Sequence, residues 1–243
     1  MKNVSSAFKE QLNSDNRNYI KSADVTLNDG TVLHVDNSDM WNNGLTIEDA
    51  TSNTNSFDVG SIIVGSATLV LNNIYDDYTD YDFTNCVMDN IKVGLHLPDG
   101  TVESVQYGKY YLDEAKYNGS IITLSFYDGI SKFDKDYSSS NLTYPATLRQ
   151  IVQDACNVCG ITLGTPSFDH DDYIVDSRPD ANSLTFRQML IWVAQISCNY
   201  GKCDVQGRFC LEWYDLDTLE NMAMYTEETP LSDVSGSDIM DHQ

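Results

Sequence analysis

Paired cysteines, clustered aspartates, spaced carboxylates and histidines are the residues of this chain that could do chemistry. Cys156-x-x-Cys159 comes first. A redox pair of this spacing works at the start of a helix, where the dipole lowers the thiol pKa. Here the helical pattern places the pair at a helix end, beside the negative pole, which disfavours thiolate. A zinc site would need two more ligands from Cys198, Cys203 and Cys210. Those spacings match no compact zinc pattern. We therefore read the cysteines as unpaired structural thiols without metal.

Asp76, Asp77, Asp80 and Asp82 could gather around calcium. A calcium loop of the EF-hand type needs alternate ligands, a glycine and a distal glutamate, and only Asp80-x-Asp82 fits. Asp169, Asp171 and Asp172 fit no better. Both runs read as solvated acidic loops, with calcium or sugar binding left open. A glycosidase needs two carboxylates at a set separation. With 37 acids in the chain such a pair can always be found, so the pattern decides nothing. His34, His96, His170 and His242 lie near no Gly-x-Ser-x-Gly turn. No glycine-rich phosphate loop with a lysine is present. The sequence assigns no catalytic, cofactor-binding or metal-ligating residue, and the chain is expected not to be an enzyme and to need no cofactor.

The elements that would position any site are easier to read. Thr185–Tyr214 reads as one helix and one hairpin. Thr185 caps the helix with Gln188 returning the bond, and Leu184 with Met189 forms a hydrophobic staple. Phe186, Met189, Leu190, Val193 and Ile196 recur at helical spacing. Ile191 and Trp192 widen that stripe, which predicts burial on several sides. Gly201 suits the left-handed position that ends a helix. Thr147-Leu-Arg-Gln-Ile-Val152 repeats the opening Thr185-Phe-Arg-Gln-Met-Leu190. The match reads either as an internal duplication or as two independent uses of a good helix start. Leu148, Ile151, Val152, Ala155 and Cys159 form the first helix's stripe, Gly160 closes it, and Ile161–Leu163 is a strand candidate.

Before these helices lies a run of strands. Asp29-Gly30, Asp99-Gly100 and Asn118-Gly119 each separate two alternating stretches, the strongest short-range hairpin signal. Leu45–Ile47 and Ser61–Asn72 are further strands, with a bend expected at Gly65. A Tyr/Asp-rich loop covers Tyr75–Phe83. The even spacing from Tyr19 to Tyr127 predicts a closed antiparallel barrel or a sandwich. The fold class is α+β and β-rich. A β-barrel domain is expected over 1–136, a small α+β domain of two helices and a hairpin over 144–214, and a mobile acidic tail over 215–243. Tyr137–Thr143 reads as a polar linker between the first two.

Charge limits the partners. Acids number 37 against 14 lysines and arginines, a formal net charge of -23. Free nucleic acid and anionic membranes are therefore unexpected partners. Aromatics at 11% and hydrophobics at 41% exclude a disordered acidic chain. No apolar run is long enough to span a bilayer, and the N-terminus lacks the apolar core of a signal peptide. Cytoplasmic synthesis with reduced thiols is expected.

Several short pieces carry a resemblance. They are Leu27-Asn-Asp-Gly-Thr31, Gly44-Leu-Thr-Ile-Glu-Asp-Ala-Thr-Ser52, Phe57-Asp-Val-Gly-Ser61, Leu69-Val-Leu-Asn-Asn73, Tyr81-Asp-Phe83, Lys132-Phe-Asp-Lys135 and Leu142-Thr-Tyr-Pro-Ala-Thr-Leu148. Together they resemble prophage tail proteins of Gram-positive bacteria, a group similar to phage baseplate-hub and tail-tip (tail-associated) proteins. The resemblance spans about residues 19–214. It implies a barrel related to tail-tube subunits, followed by smaller α+β domains. It also implies a ring, usually trimeric, that joins the tail tube to the spike or tip. Tail tube, spike or tip and tape-measure proteins are the implied partners. Host cytoplasm during assembly, then the virion, is the implied location. Relatives continue into further strands, so a truncated form is expected. The alternative is a cell-wall-directed carbohydrate-binding or hydrolytic (endopeptidase-like) tail module, in which the Tyr/Asp loops hold sugar.

Overall fold

The computed structural model describes residues 4–50, 59–179 and 184–213. Helix α1 (Ser6–Leu12) is capped by the Ser5 hydroxyl, which accepts from the Phe8 amide at 3.1 Å. Eight strands follow: β1 (Tyr19–Thr26), β2 (Val32–Asp36), β3 (Met40–Glu48), β4 (Ser66–Asn72), β5 (Val87–His96), β6 (Val102–Gln106), β7 (Tyr110–Asn118) and β8 (Ile121–Asp128). They form one antiparallel sheet in the order β2-β1-β5-β7-β8-β4-β3, with β6 on the far part of β5. All three expected hairpins are present. Asp29 and Asp99 accept the amides of Thr31 and Thr101 at 2.8 and 2.9 Å, and Gly30 and Gly100 take the positive φ that these turns need.

Period-2 alternation builds the sheet's core. Ala67, Leu69 and Leu71 on β4 lie opposite Phe126, Leu124 and Ile122 on β8, all buried. Val25, Phe83, Met88 and Ile91 join them. The expected long strand over Ser61–Asn72 starts only at Ser66. Gly65 precedes it, pressed so close to Asp128 that a Cβ there would lie 2.9 Å from the carboxylate.

The expected closed barrel does not form: the sheet is open. Among the described residues β2 pairs only with β1 and β3 only with β4, so the two stand at opposite ends of the order. They are sequence neighbours, but β3 is distorted soon after it begins. Asn42 and Asn43 take left-handed φ of 48° and 63°, and the register slips between Met40 and Leu45. A bulge of this kind bends a strand and interrupts its ladder. Instead of a neighbouring backbone, the Lys21 ammonium on β1 reaches β3, donating to the carbonyls of Asn43 and Leu45 at 2.9 Å each.

After β8 the chain makes 3-10 turns at Gly129–Asp134 and Tyr137–Ser139. Then come β9 (Ala146–Thr147), α2 (Leu148–Cys159), β10 (Ile174–Val175), α3 (Phe186–Ile196), β11 (Tyr200–Cys203) and β12 (Phe209–Glu212). The stripes of α2 and α3 meet in a second core with Ile130, Phe133, Phe209 and Leu211. Thr147 closes a full capping box with Gln150. At Thr185 the hydroxyl accepts from the Gln188 amide at 3.2 Å. Tyr137, in the stretch that reads as a linker, is buried in this second core. Two further details differ from expectation. Helix α3 ends at Ile196, and Cys198, not Gly201, takes the left-handed φ of 56°, because Gly201 is already paired in β11. Ile161–Leu163 makes a single bridge, Leu163 to Phe209, instead of a strand. The described residues up to Glu212 pack as one compact unit holding both cores. The expected tail over 215–243, and His242 within it, lie outside the described residues.

Candidate functional site

Of the cysteines weighed as redox or zinc ligands, Cys156 and Cys210 are buried, Cys159 and Cys203 are half-buried, and Cys198 is exposed. Burial pushes the Cys156 thiol up to about 12 and the Cys159 thiol up to about 11. Burial also raises Cys203 and Cys210 on the β11–β12 hairpin. Such thiols are poor nucleophiles at neutral pH. Among the described residues, no three of His, Cys, Asp and Glu come together in a way that could hold a metal ion.

The two aspartate runs have different surroundings. Asp171 is buried and accepts from the Arg149 guanidinium, the Ser167 hydroxyl and the Phe168 amide. Burial works to raise its pKa, but the bonds from Arg149 and Ser167 outweigh it and hold the carboxyl below the usual range. That makes Asp171 a brace between α2 and its loop. Asp76 and Asp82 instead accept local bonds, from the Thr79 hydroxyl at 3.3 Å and from the Thr84 amide at 2.9 Å. His34 pairs with Asp24 at 2.7 Å across β1 and β2, and His170 sits in a turn at φ 57°.

The open end of the sheet is the site with the most distinctive geometry. Lys21 marks the outer side of β3 by taking the carbonyls of Asn43 and Leu45. Backbone groups alternate sides along a strand, so Ile47 presents its amide and carbonyl on that same outer side. Beside this edge lies a groove of about 310 Å³ lined by Tyr19, Lys21, Asn43, Leu45, Thr46, Ile47, Val93 and Tyr107. Burial lowers the Lys21 pKa. β2 and β6 also end the sheet's pairing, and each shows an outward valine, Val32 at 44% and Val102 at 47% exposure.

A second feature lies where the two cores join. Asp128 ends β8 and caps the first 3-10 turn, accepting from the Ile130 amide at 3.0 Å. Burial pushes its carboxyl up to about 7, against the amides of Gly65 and Ile130, and the Asp49 charge adds to the rise. Tyr110 on β7 and Cys203 on β11 face it. Neither Lys21 nor Asp128 stood out in the sequence. Each is an ordinary residue whose role depends on a neighbour distant in the chain. The one available signal was a lysine at an alternating position in β1, where a core residue would be expected.

No family model matches the chain, and no curated protein sequence matches it. Among solved structures it is similar to the 43 kDa tail protein of prophage MuSo2 from Shewanella oneidensis. That likeness has 16% identity and a TM-score of 0.46, and covers 78% of this chain and 53% of the other. It is also similar to a chain in the virion of a native gene transfer agent particle, at 14% identity and a TM-score of 0.32, covering 51% of this chain and 44% of that one. This chain thus spans about half the length of the structures it matches.

Proposed function

We propose that this chain is a structural subunit of a phage-type tail, acting as a baseplate-hub or tail-tip subunit that joins the tail tube to the spike or tip. The observation that carries the reading is the open sheet, with β2, β3 and β6 at the limits of its pairing. Unpaired strand edges invite pairing with another chain, and a protein that leaves them open must cover them or use them. Closed rotational assembly uses them without runaway fibres. The described parts of the short pieces that resemble tail proteins fall in both packed regions, from the β1–β2 turn to the start of α2. In this reading the role is structural and not catalytic. The subunits associate as a trimer with tube, spike and tape-measure proteins as neighbours, first in host cytoplasm and then in the virion. The acidic surface lets DNA pass without adhering.

Light scattering with the tail-tube protein of the same particle tests the reading. A ring mass with bound tube protein is expected. A stable monomer that binds no tube protein would end it.

A further inference from the structure

We infer that the exposed aromatic face beside the β7–β8 hairpin docks an arginine-bearing segment of a different protein. The residues of the face are Ile74, Tyr75 and Tyr81 in the loop after β4 and Tyr117 near the end of β7, at 48%, 82%, 36% and 57% exposure. It is a fixed surface. Asn73, itself buried, organises the loop after β4. Its side chain accepts from the Tyr78 amide at 2.8 Å and donates to the Thr79 hydroxyl at 3.1 Å. Its backbone amide donates to Ser120 in the hairpin turn at 2.7 Å, which ties the loop to the strands that carry Tyr117. Tyr78 donates to Asp39 at 2.9 Å, and its ring centroid lies 6.3 Å from that of Tyr81. Tyr117 lies close enough to Asp82 for that charge to raise its pKa, though burial is the larger cause.

Charge selects the occupant. No lysine or arginine stands between Lys21 and Lys92, while that span holds twelve carboxylates, four of them (Asp76, Asp77, Asp80 and Asp82) in this loop. Tyrosine faces ringed by carboxylates suit a guanidinium, which stacks on the ring while its N–H groups meet the acids. Interfaces are enriched in both tyrosine and arginine. A second copy of this chain is a poor occupant. Arg149, Arg187 and Arg208 pair with Asp171, Asp134 and Asp204, Arg178 donates to the Ser140 and Tyr137 carbonyls, and Arg17 donates to Leu12. Every arginine is already engaged within its own chain.

The test is NMR of tyrosine and isoleucine side chains in the full chain, titrated with a synthetic arginine–glycine peptide. A glutamine-for-arginine peptide and a chito-oligosaccharide serve as the other probes. Shifts should concentrate at Ile74, Tyr75, Tyr81 and Tyr117 with the arginine peptide only. The double variant Tyr75→Ala/Tyr117→Ala should weaken binding about tenfold. Tyr173→Ala, which removes an exposed tyrosine elsewhere, should leave it unchanged. Shifts spread over the whole acidic surface, an equal loss with Tyr173→Ala, or sugar binding at this face without peptide binding would each overturn the inference.

Discussion

The sheet and the helical region that follows it handle backbone and charge differently. The helical region closes on itself. Its α2 start has a complete capping box, Arg149 and Arg187 are paired, and Arg178 satisfies the Ser140 and Tyr137 carbonyls. Among the described residues the sheet's pairing ends at β2, β3 and β6, and the sequence from β2 through β4 carries no lysine or arginine. The difference teaches where each kind of work is done. In the function proposed above, the helical core anchors, and the sheet offers its edges and its acidic, aromatic surface to other chains.

The largest expected effect breaks the anchor. Phe209 is fully buried and packs edge-on against Phe133 with ring centroids 5.1 Å apart. Phe209→Ala should cost about 3–5 kcal/mol by denaturant unfolding. Val32→Ala on the β2 edge, half-exposed, should stay within about 0.5 kcal/mol. Equal costs would remove the contrast between a closed core and an open edge.

The next effect sharpens the boundary between the regions through pH. The Asp128 carboxyl titrates at about 7 when folded, against 3.8 for an ordinary aspartate. A carboxyl with a raised folded pKa binds a proton that the unfolded chain has released. Its contribution to stability is therefore complete below about pH 3.8 and is lost as pH rises through 7. Between those limits the stability difference between the natural chain and Asp128→Asn should change by up to about 1.4 kcal/mol per pH unit. Unfolding curves of both proteins at several pH values check this. Parallel pH profiles would show that Asp128 is charged in the folded chain.

The smallest effect compares the two helix starts. Thr147→Ala removes the hydroxyl, which accepts from the Gln150 amide and donates to the Gln150 side chain, and should cost about 1 kcal/mol. Thr185→Ala loses the single bond to the Gln188 amide and should cost less, read from paired melting curves.

What could be read in the sequence follows from the range of each interaction. The three hairpin turns, both helix starts and the alternating faces of β4 and β8 depend on residues within a few positions of each other, and they are present. The end of α3 was misplaced because Gly201 fits a helix stop in isolation, whereas pairing with Leu211 draws it into β11. Closure of the barrel was wrong for a related reason. Alternation shows which face of a strand is buried, but not which strand lies beside it. The distortion at Asn42 and Asn43 could not be told from ordinary turn chemistry. The groove at Lys21 and the position of Asp128 depend on contacts with residues far away in sequence, so neither could be found from local pattern.

In the function proposed above, another chain pairs along the side of β3 that no strand occupies among the described residues. Hydrogen exchange of the full chain, alone and with the tail-tube protein of the same particle, tests it most directly. Leu45 and Ile47 turn their amides toward the groove, so their exchange should slow sharply in the complex while the amides of α2 stay unchanged. A complex that forms with those two amides exchanging as fast as before would contradict the account.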